Sequence, residues 1–534
     1  VAKTGEDNSM RDFQLPGRSA VYAANGMCAT SHPLAAKVAI SILEEGGNAV
    51  DAAVAAAFLL GICEPQMTGL GGDCFVLFTP PGADRVIALN GSGRSPAGLS
   101  AGPMRAAGHA TVPLRGIESV TLPGAVDALC RLSADWGRAG LAASLAPAIR
   151  YAEEGVPVAP RVAIDWREGE TILQGAARQA YLPGGKAATV GQVFRAPGQA
   201  QVLRKIAAEG RSGFYEGDVA EDIITSLRAL GGTHALDDLA GVSCSYGDPV
   251  TGGYGGLELL EHPPNGQGAT AILMLNILSH FDIAALDPRG AARVHLEAEA
   301  TRLAYDARDR IIADPDHTTR LAHMLSGDTA ARLAALVDLN RAKPLSRPEV
   351  EAVHRDTVYL SVVDRDRMAV SLIYSIFEKF GSGMASDRYG ILFQNRGAGF
   401  NLIEGHPNEA AGAKRPMHTI IPGMLARSGK LVGPFGVMGG AYQPAGHARF
   451  LSNLTDFGMD VQSAMDAPRA FLRQDKLELE TGYPESVRAE LAGMGHQVVV
   501  PNSPLGGSQA ILINDDGVLV GGSDPRKDGC ALGY

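Results

Sequence analysis

The hydrophobic period changes along the chain, and that change limits the folds open to it. Early on the apolar spacing is helical. Pro33–Glu45 stops at Gly46-Gly47, and Asn48 can cap a second helix with Asp51 at its third position. That second helix, through AAVAAAFLLGIC, is small and apolar on nearly every side, the character of a buried helix. It ends at Glu64-Pro65 and leads through Thr68-Gly69-Leu70-Gly71-Gly72-Asp73 into the strand-like CFVLF. Further helices are expected over 122–156, 197–208, 217–230, 266–279 and 291–312. In the second half the period shortens. TVYLSVVD (357–364) and MAVSLIYS (368–375) alternate or run β-branched, as strands do. More strands are expected at 390–395, 431–438, 478–480, 497–500, 509–514 and 517–521, with helices at 446–457 and 461–467. Helix-rich followed by strand-rich means either an α+β fold or two domains.

Composition narrows the function classes. Of 534 residues, 46% are hydrophobic and 20% charged, a globular balance. The net charge is -11 and no run of bases exceeds a pair, which argues against a nucleic-acid partner. The longest apolar run, Ala52–Cys63, is too short to span a bilayer. Val1–Arg18 has no apolar core or small-residue cleavage site, so no secretory signal is expected there. Cys28, Cys63, Cys74, Cys130, Cys244 and Cys530 are scattered without a CxxC pair, which suits buried thiols in a reducing compartment and makes cytoplasm the expected location. HExxH, GxxxxGK[ST] and GxSxG are absent, and the histidines form no close ligand pair. No metal or cofactor is expected.

Two places could carry chemistry. In LVGPFGVMGGAYQPAG a strand runs into Gly439-Gly440 and the chain then enters a helix. Adjacent glycines at such a turn either answer simple geometry or point two N–H groups at a developing oxyanion. The second place is the hairpin. With a loop at 364–368, residues whose numbers sum to 732 face each other, which sets Thr357 opposite Ser375. That pair is either a ladder contact between hydroxyls or a nucleophile with its neighbour. Gly69-Leu70-Gly71-Gly72 follows a helix and reads as a tight turn, not a dinucleotide loop.

The chain resembles the γ-glutamyltranspeptidase family. The resemblance rests on EEGGNAVDAAVAAAFLLGICEPQMTGLGGDCFVLF (44–78), SLAPAIRYAEEGVPV (144–158), GFYEGDVAEDI (213–223), HPPNGQGATAILMLNIL (262–278) and HLEAEATRLAYDARDRIIADPDH (295–317). DTVYLSVVDRD (356–366), FGSG (380–383), AKRPMHTIIP (413–422), VMGGA (437–441) and GGSDPRKDGCALGY (521–534) continue it. The resemblance implies an α+β fold, the four-layer αββα sandwich of the N-terminal-nucleophile hydrolases. It also implies a precursor that cuts itself between Asp356 and Thr357 into a large segment, 1–356, and a small one, 357–534, sharing one core. By the same resemblance Thr357 is the nucleophile, Ser375 the hydroxyl beside it, and Gly439 and Gly440 the oxyanion donors. A dimer of processed heterodimers is a further expectation.

The residues expected to read substrate depart from the family pattern. The family arginine that clamps the glutamyl carboxylate aligns with Ser92, with Arg94 nearby, and the acid that binds the amino group aligns with Gly399. A family Asn aligns with Phe377 and the Ser-Ser pair with His418-Thr419, while the lid segment between Phe400 and Pro416 is shortened. A site that buries a zwitterion must pair both charges, so these losses argue against γ-glutamyl transfer. Arg94, Arg396, Lys414, Arg415 and His418 lie in or beside the altered segments and suit an anion without an amine. NGSGRSP, MHTIIP and FQLPGRSAVYA resemble the oxamate amidohydrolase branch, so a small-molecule amide bearing a carboxylate is the expected substrate, with Arg94, Arg396, Phe377, His418 and Thr419 as its binding residues. The alternatives are a γ-glutamyltranspeptidase or glutathione hydrolase, and an uncut, non-catalytic binding homologue.

Overall fold

Alternation along the Val358–Val363 strand decides where it lies. Val358, Leu360 and Val362 turn to one face and join a helical core, whereas Tyr359 and Val363 turn to the other and pack with residues of a second sheet. A strand buried on both faces needs a layer on each side. In the computed structural model, which describes Gln14 and residues 17–83, 85–343 and 357–534, that requirement is met by two stacked seven-stranded sheets. Asp356 and most of Val1–Arg18 lie outside the described residues.

The first sheet runs Cys530–Gly533, Met27–Thr30, Val358–Val363, Ala369–Ser375, Asp73–Phe78, Ile87–Gly91, Ser245–Gly247, each strand antiparallel to its neighbour. The second runs Val21–Ala23, Leu519–Ser523, Gly507–Ile513, Lys430–Met438, Gly423–Arg427, Leu257–Glu261, Val250–Tyr254, likewise antiparallel. Pro33–Glu44, Ala49–Cys63 and Ala125–Trp136 lie against the first sheet, with Leu141–Glu154 and Pro197–Glu209 packed outside them. Gly268–Leu278 and Gln443–Thr455 lie against the second, with Ala291–Ile311 packed outside them. This is the αββα sandwich. Two separate domains are excluded, because both sheets mix strands from before and after residue 356.

The best-specified element is Ala49–Cys63, whose every residue is buried. Asn48 accepts the Val50 and Asp51 N–H groups, and Asp51 accepts the Asn48 N–H at 3.0 Å, so the expected reciprocal cap is present. Other expectations need correction. The stretch 122–156 holds two helices, parted at Gly137–Gly140, where Gly140 has φ 84°. Residues 390–395 form no strand; Leu392 makes one isolated bridge to Ala385, and the backbone there bonds to the Met384, Gly71 and Ile376 carbonyls instead. The first half also holds strands too short or too glycine-rich to show a period, such as Met27–Thr30 and Val250–Tyr254. Gly71 and Gly72 press against the Leu392 and Ser375 carbonyls, leaving no room for a Cβ, as befits a structural turn. Cys28, Cys63, Cys74 and Cys130 are buried and Cys244 and Cys530 partly so, all unpaired. Among the described residues no helix is long and apolar enough to cross a membrane.

Candidate active site

The hairpin register pairs Val358 with Tyr374, Ser361 with Ser371 and Val363 with Ala369, the sum of 732 expected from the sequence. One residue further, Thr357 comes opposite Ser375, which in turn pairs with Asp73 on the next strand. Thr357, Ser375 and Asp73 thus succeed one another across three strands at one end of the first sheet. All three are fully buried, and by alternation they share the face of Tyr359, Ile373 and Phe75 that looks toward the second sheet. Met438 packs into that same cluster. The Lys430–Met438 strand ends there, and the chain turns through Gly439 and Gly440, at φ 119° and 56°, into Gln443–Thr455. Gln267 fixes this turn: its Nε2 donates to the Gly440 carbonyl at 3.0 Å and to the Thr419 carbonyl at 2.6 Å.

Asp73 was not singled out by the sequence, yet it organises the neighbourhood. Its Oδ1 accepts from the Gly93 and Gly124 N–H groups and Gln394 Nε2, at 2.9, 3.0 and 2.9 Å. Its Oδ2 lies 3.2 Å from His418 Nε2. Burial raises the Asp73 carboxyl to about 6, against the opposing pull of Arg396 and these hydrogen bonds. The available signal was a lone acid opening an otherwise apolar strand, DCFVLF.

Arg396, Phe377, Thr419 and His418 come together around it. Arg396 is fully buried; one terminal nitrogen donates to Thr419 Oγ1 at 2.9 Å, and its guanidinium carbon sits 4.2 Å from the Phe377 ring centroid. Its Nε and second terminal nitrogen have no partner. Burial lowers its pKa to about 9, offset in part by Asp73 and Glu378, so it remains a cation at neutral pH. Phe377, at φ 79°, donates its N–H to Ser375 Oγ at 2.9 Å, which links the arginine's platform to the hydroxyl pair.

Arg94 lies apart from this group. Its guanidinium is partly exposed, bonded to Asp314 at 3.2 Å and to the Ala413 carbonyl at 3.0 Å, in an open cleft of about 580 Å³. Lys414 lines the same cleft and donates to the Pro407 and Glu409 carbonyls, while Arg415 braces the Ser92 and Ser243 carbonyls. Ser92 is buried, accepting from Asn265 Nδ2. At Gly399 a Cβ would meet the Met417 carbonyl at 2.6 Å, so the backbone fills the space an acid would need. Two buried hydroxyls on the face where a strand ends in a positive-φ glycine turn, with buried Arg396 and Asp73 in the same neighbourhood, suit acyl transfer.

Comparison with known proteins agrees with this architecture. Residues 35–534 match the gamma-glutamyltranspeptidase family. The chain is 35% identical to a glutathione hydrolase-like proenzyme of Bacillus subtilis, over 96% of this chain and 99% of that protein. It is also 35% identical to the oxamate amidohydrolase proenzyme of Klebsiella pneumoniae, over 97% and 100%. Among solved structures, a cephalosporin acylase from Bacillus halodurans superposes with a TM-score of 0.91 at 36% identity, covering 98% of this chain and 99% of that one. The chain is therefore a hydrolase of the γ-glutamyltranspeptidase family, with the αββα sandwich of the N-terminal-nucleophile hydrolases.

Proposed function

We propose that this chain is a precursor that cuts itself between Asp356 and Thr357, giving segments 1–356 and 357–534, and then hydrolyses a small carboxylate-bearing amide of the oxamate kind. In the first step the Thr357 hydroxyl attacks the Asp356 carbonyl, and hydrolysis of the resulting ester frees the Thr357 α-amine. An α-amine titrates near ~7.7–8.0 in reference peptides, so its neutral form is available as a base. In turnover that amine takes the hydroxyl proton as Oγ bonds the amide carbon. Gly439 and Gly440 donate to the oxyanion, each contact contributing ~3 kcal/mol where alignment is good. The C–N bond breaks, the proton leaves with ammonia, and water then hydrolyses the acyl ester. With oxamate the products are oxalate and ammonia. Ser375 hydrogen-bonds the nucleophile in this scheme.

The observation that carries the substrate class is Arg396: a fully buried guanidinium with two unpartnered nitrogens, one wall made by Phe377 and another by Thr419. Such a group suits a carboxylate. A γ-glutamyl head group would also need an acid for its ammonium. Gly399 leaves no room for one, and Asp73 already accepts four hydrogen bonds. The Klebsiella relative's name as an oxamate amidohydrolase supports the same choice. The test measures ammonia release from oxamate beside p-nitroaniline release from a γ-glutamyl anilide, with denaturing electrophoresis of the same sample. Two bands and oxamate turnover are expected; efficient glutamyl turnover without oxamate hydrolysis overturns the substrate, and a persistent inactive full-length chain overturns the enzyme.

A further inference from the structure

The segment joining helix Ala49–Cys63 to the Asp73–Phe78 strand is tied to the neighbours of the Val358–Val363 strand on both sides. On one side Thr30 pairs with Leu360, and the next residue, Ser31, donates its hydroxyl to Glu64 Oε1. On the other side, beyond Ser375, the Ile376 and Phe380 N–H groups donate to the Met67 and Gln66 carbonyls at 3.2 and 2.9 Å. Glu64 and Gln66 are thereby held between the strands that flank Val358–Val363, toward the end at which that strand begins. Both are buried, and neither polar end of the Gln66 amide has a partner.

Lys527 reaches the same place from the second sheet. Gly507 pairs with Met438, the residue before Gly439, and a Cβ on Gly507 would meet Lys527 Cγ at 2.8 Å. Lys527 is 5% exposed and its ammonium makes no hydrogen bond or close ion pair with a described residue; it acts at longer range on Glu64 and Asp165. A buried ammonium and a buried carboxyl within electrostatic range of each other, with an unspent amide two residues on, therefore lie toward the end of the sheet at which the Val358–Val363 strand begins.

We propose that Glu64 and Lys527 are positioning residues that set the charge state of the Thr357 α-amine, Lys527 disfavouring the ammonium form and Glu64 favouring it. The inference rests on the reading of Thr357 as a self-freed nucleophile and base. Charges of opposite sign near one amine move its pKa in opposite directions. The groups facing Glu64 are Ser31 from the neighbouring strand, Cys63 from its own helix, Asp165 from helix Pro160–Trp166, and Lys527 and Asp528 from the C-terminal segment. Burial raises Glu64 to about 7, with Lys527 and the Ser31 hydrogen bond pulling the other way.

The experiment compares pH profiles of kcat/KM for processed wild type, Lys527→Met, Lys527→Arg, Glu64→Gln and the double variant Glu64→Gln/Lys527→Met. Lys527→Met is expected to move the acidic limb up by about one pH unit, and Glu64→Gln to move it down. Lys527→Arg and the double variant should stay within about 0.3 unit of wild type, since each restores the charge balance. Equal loss of rate in both single variants with an unmoved limb assigns the pair to scaffolding and overturns the inference. So does failure of both single variants and Lys527→Arg alike to cut themselves. A Thr357→Ala control that still cuts or turns over overturns instead the reading of the nucleophile, which keeps the two failures distinct.

Discussion

Two buried carboxyl groups lie on opposite sides of the Val358–Val363 strand, and they are held in different ways. Asp73 takes four hydrogen bonds, from two backbone N–H groups, Gln394 and His418. Glu64 takes one side-chain bond among the described residues, from Ser31, and feels Lys527 only at longer range. Both are raised by burial, Asp73 to about 6 and Glu64 to about 7. Directed N–H groups favour the charged form and also fix its position, whereas a distant charge favours it without fixing anything. The Asp73 side is a template on which Arg396, His418 and Thr419 are arranged. The Glu64 side is where a carboxyl keeps its proton to a higher pH with few directed partners to fix it.

The largest expected effect removes what lies between them. Thr357→Ala should abolish self-cutting, giving one band in denaturing electrophoresis, and bring amide turnover below detection. Breaking the template comes next: Arg396→Gln should lower kcat/KM for oxamate by about 10³-fold, the scale of a charge-assisted pair lost in a buried site. Arg94→Ala, at a partly exposed and already paired side chain, should change it less than about threefold in the same assay. Asp73→Asn keeps the shape but presents an NH2 group to donors on one side. It should cost about 2 kcal/mol in chemical denaturation, with Glu64→Gln costing less than about 1 kcal/mol.

The smallest effect concerns pH. Glu64 holds its proton to about 7 in the folded chain against an ordinary 4.5. Between those values the folded state binds more protons than the unfolded one, so stability contributed by the protonated carboxyl is lost as pH rises through that window. Thermal unfolding followed from pH 5 to 8 should show Tm falling with pH, and Glu64→Gln should flatten that slope. An unchanged slope would show that Glu64 titrates normally.

Much of this was legible in the residues. The reciprocal cap at Asn48 and Asp51, the buried helix after it and the hairpin register were all local signals, carried by side chains within a few residues of one another. Setting Thr357 opposite Ser375 continues that register by one residue, and the role proposed for the pair comes from the family resemblance. Asp73 was hidden because its role depends on Gly93, Gly124, Gln394 and His418, which only the folded sheet order brings together. The same holds for Arg396 against Arg94: both stand in altered segments of the sequence, and only burial separates them. The two-domain alternative arose because strands of three to five residues, such as Ser245–Gly247 and Leu257–Glu261, are too short to show a period.

The order of strands in the first sheet has a consequence for lifetime. Met27–Thr30, from the leading segment, lies between Val358–Val363 and Cys530–Gly533, both from the trailing one. Were the bond before Thr357 cut as proposed, the two polypeptides would stay laced together: strands from before and after it pair in five ladders across the two sheets, and neither could leave without unzipping them and opening the shared core. Reassembly from denatured halves would then be bimolecular and would have to thread one strand between two others. The mature protein would persist by the slowness of coming apart, not by any ease of forming again.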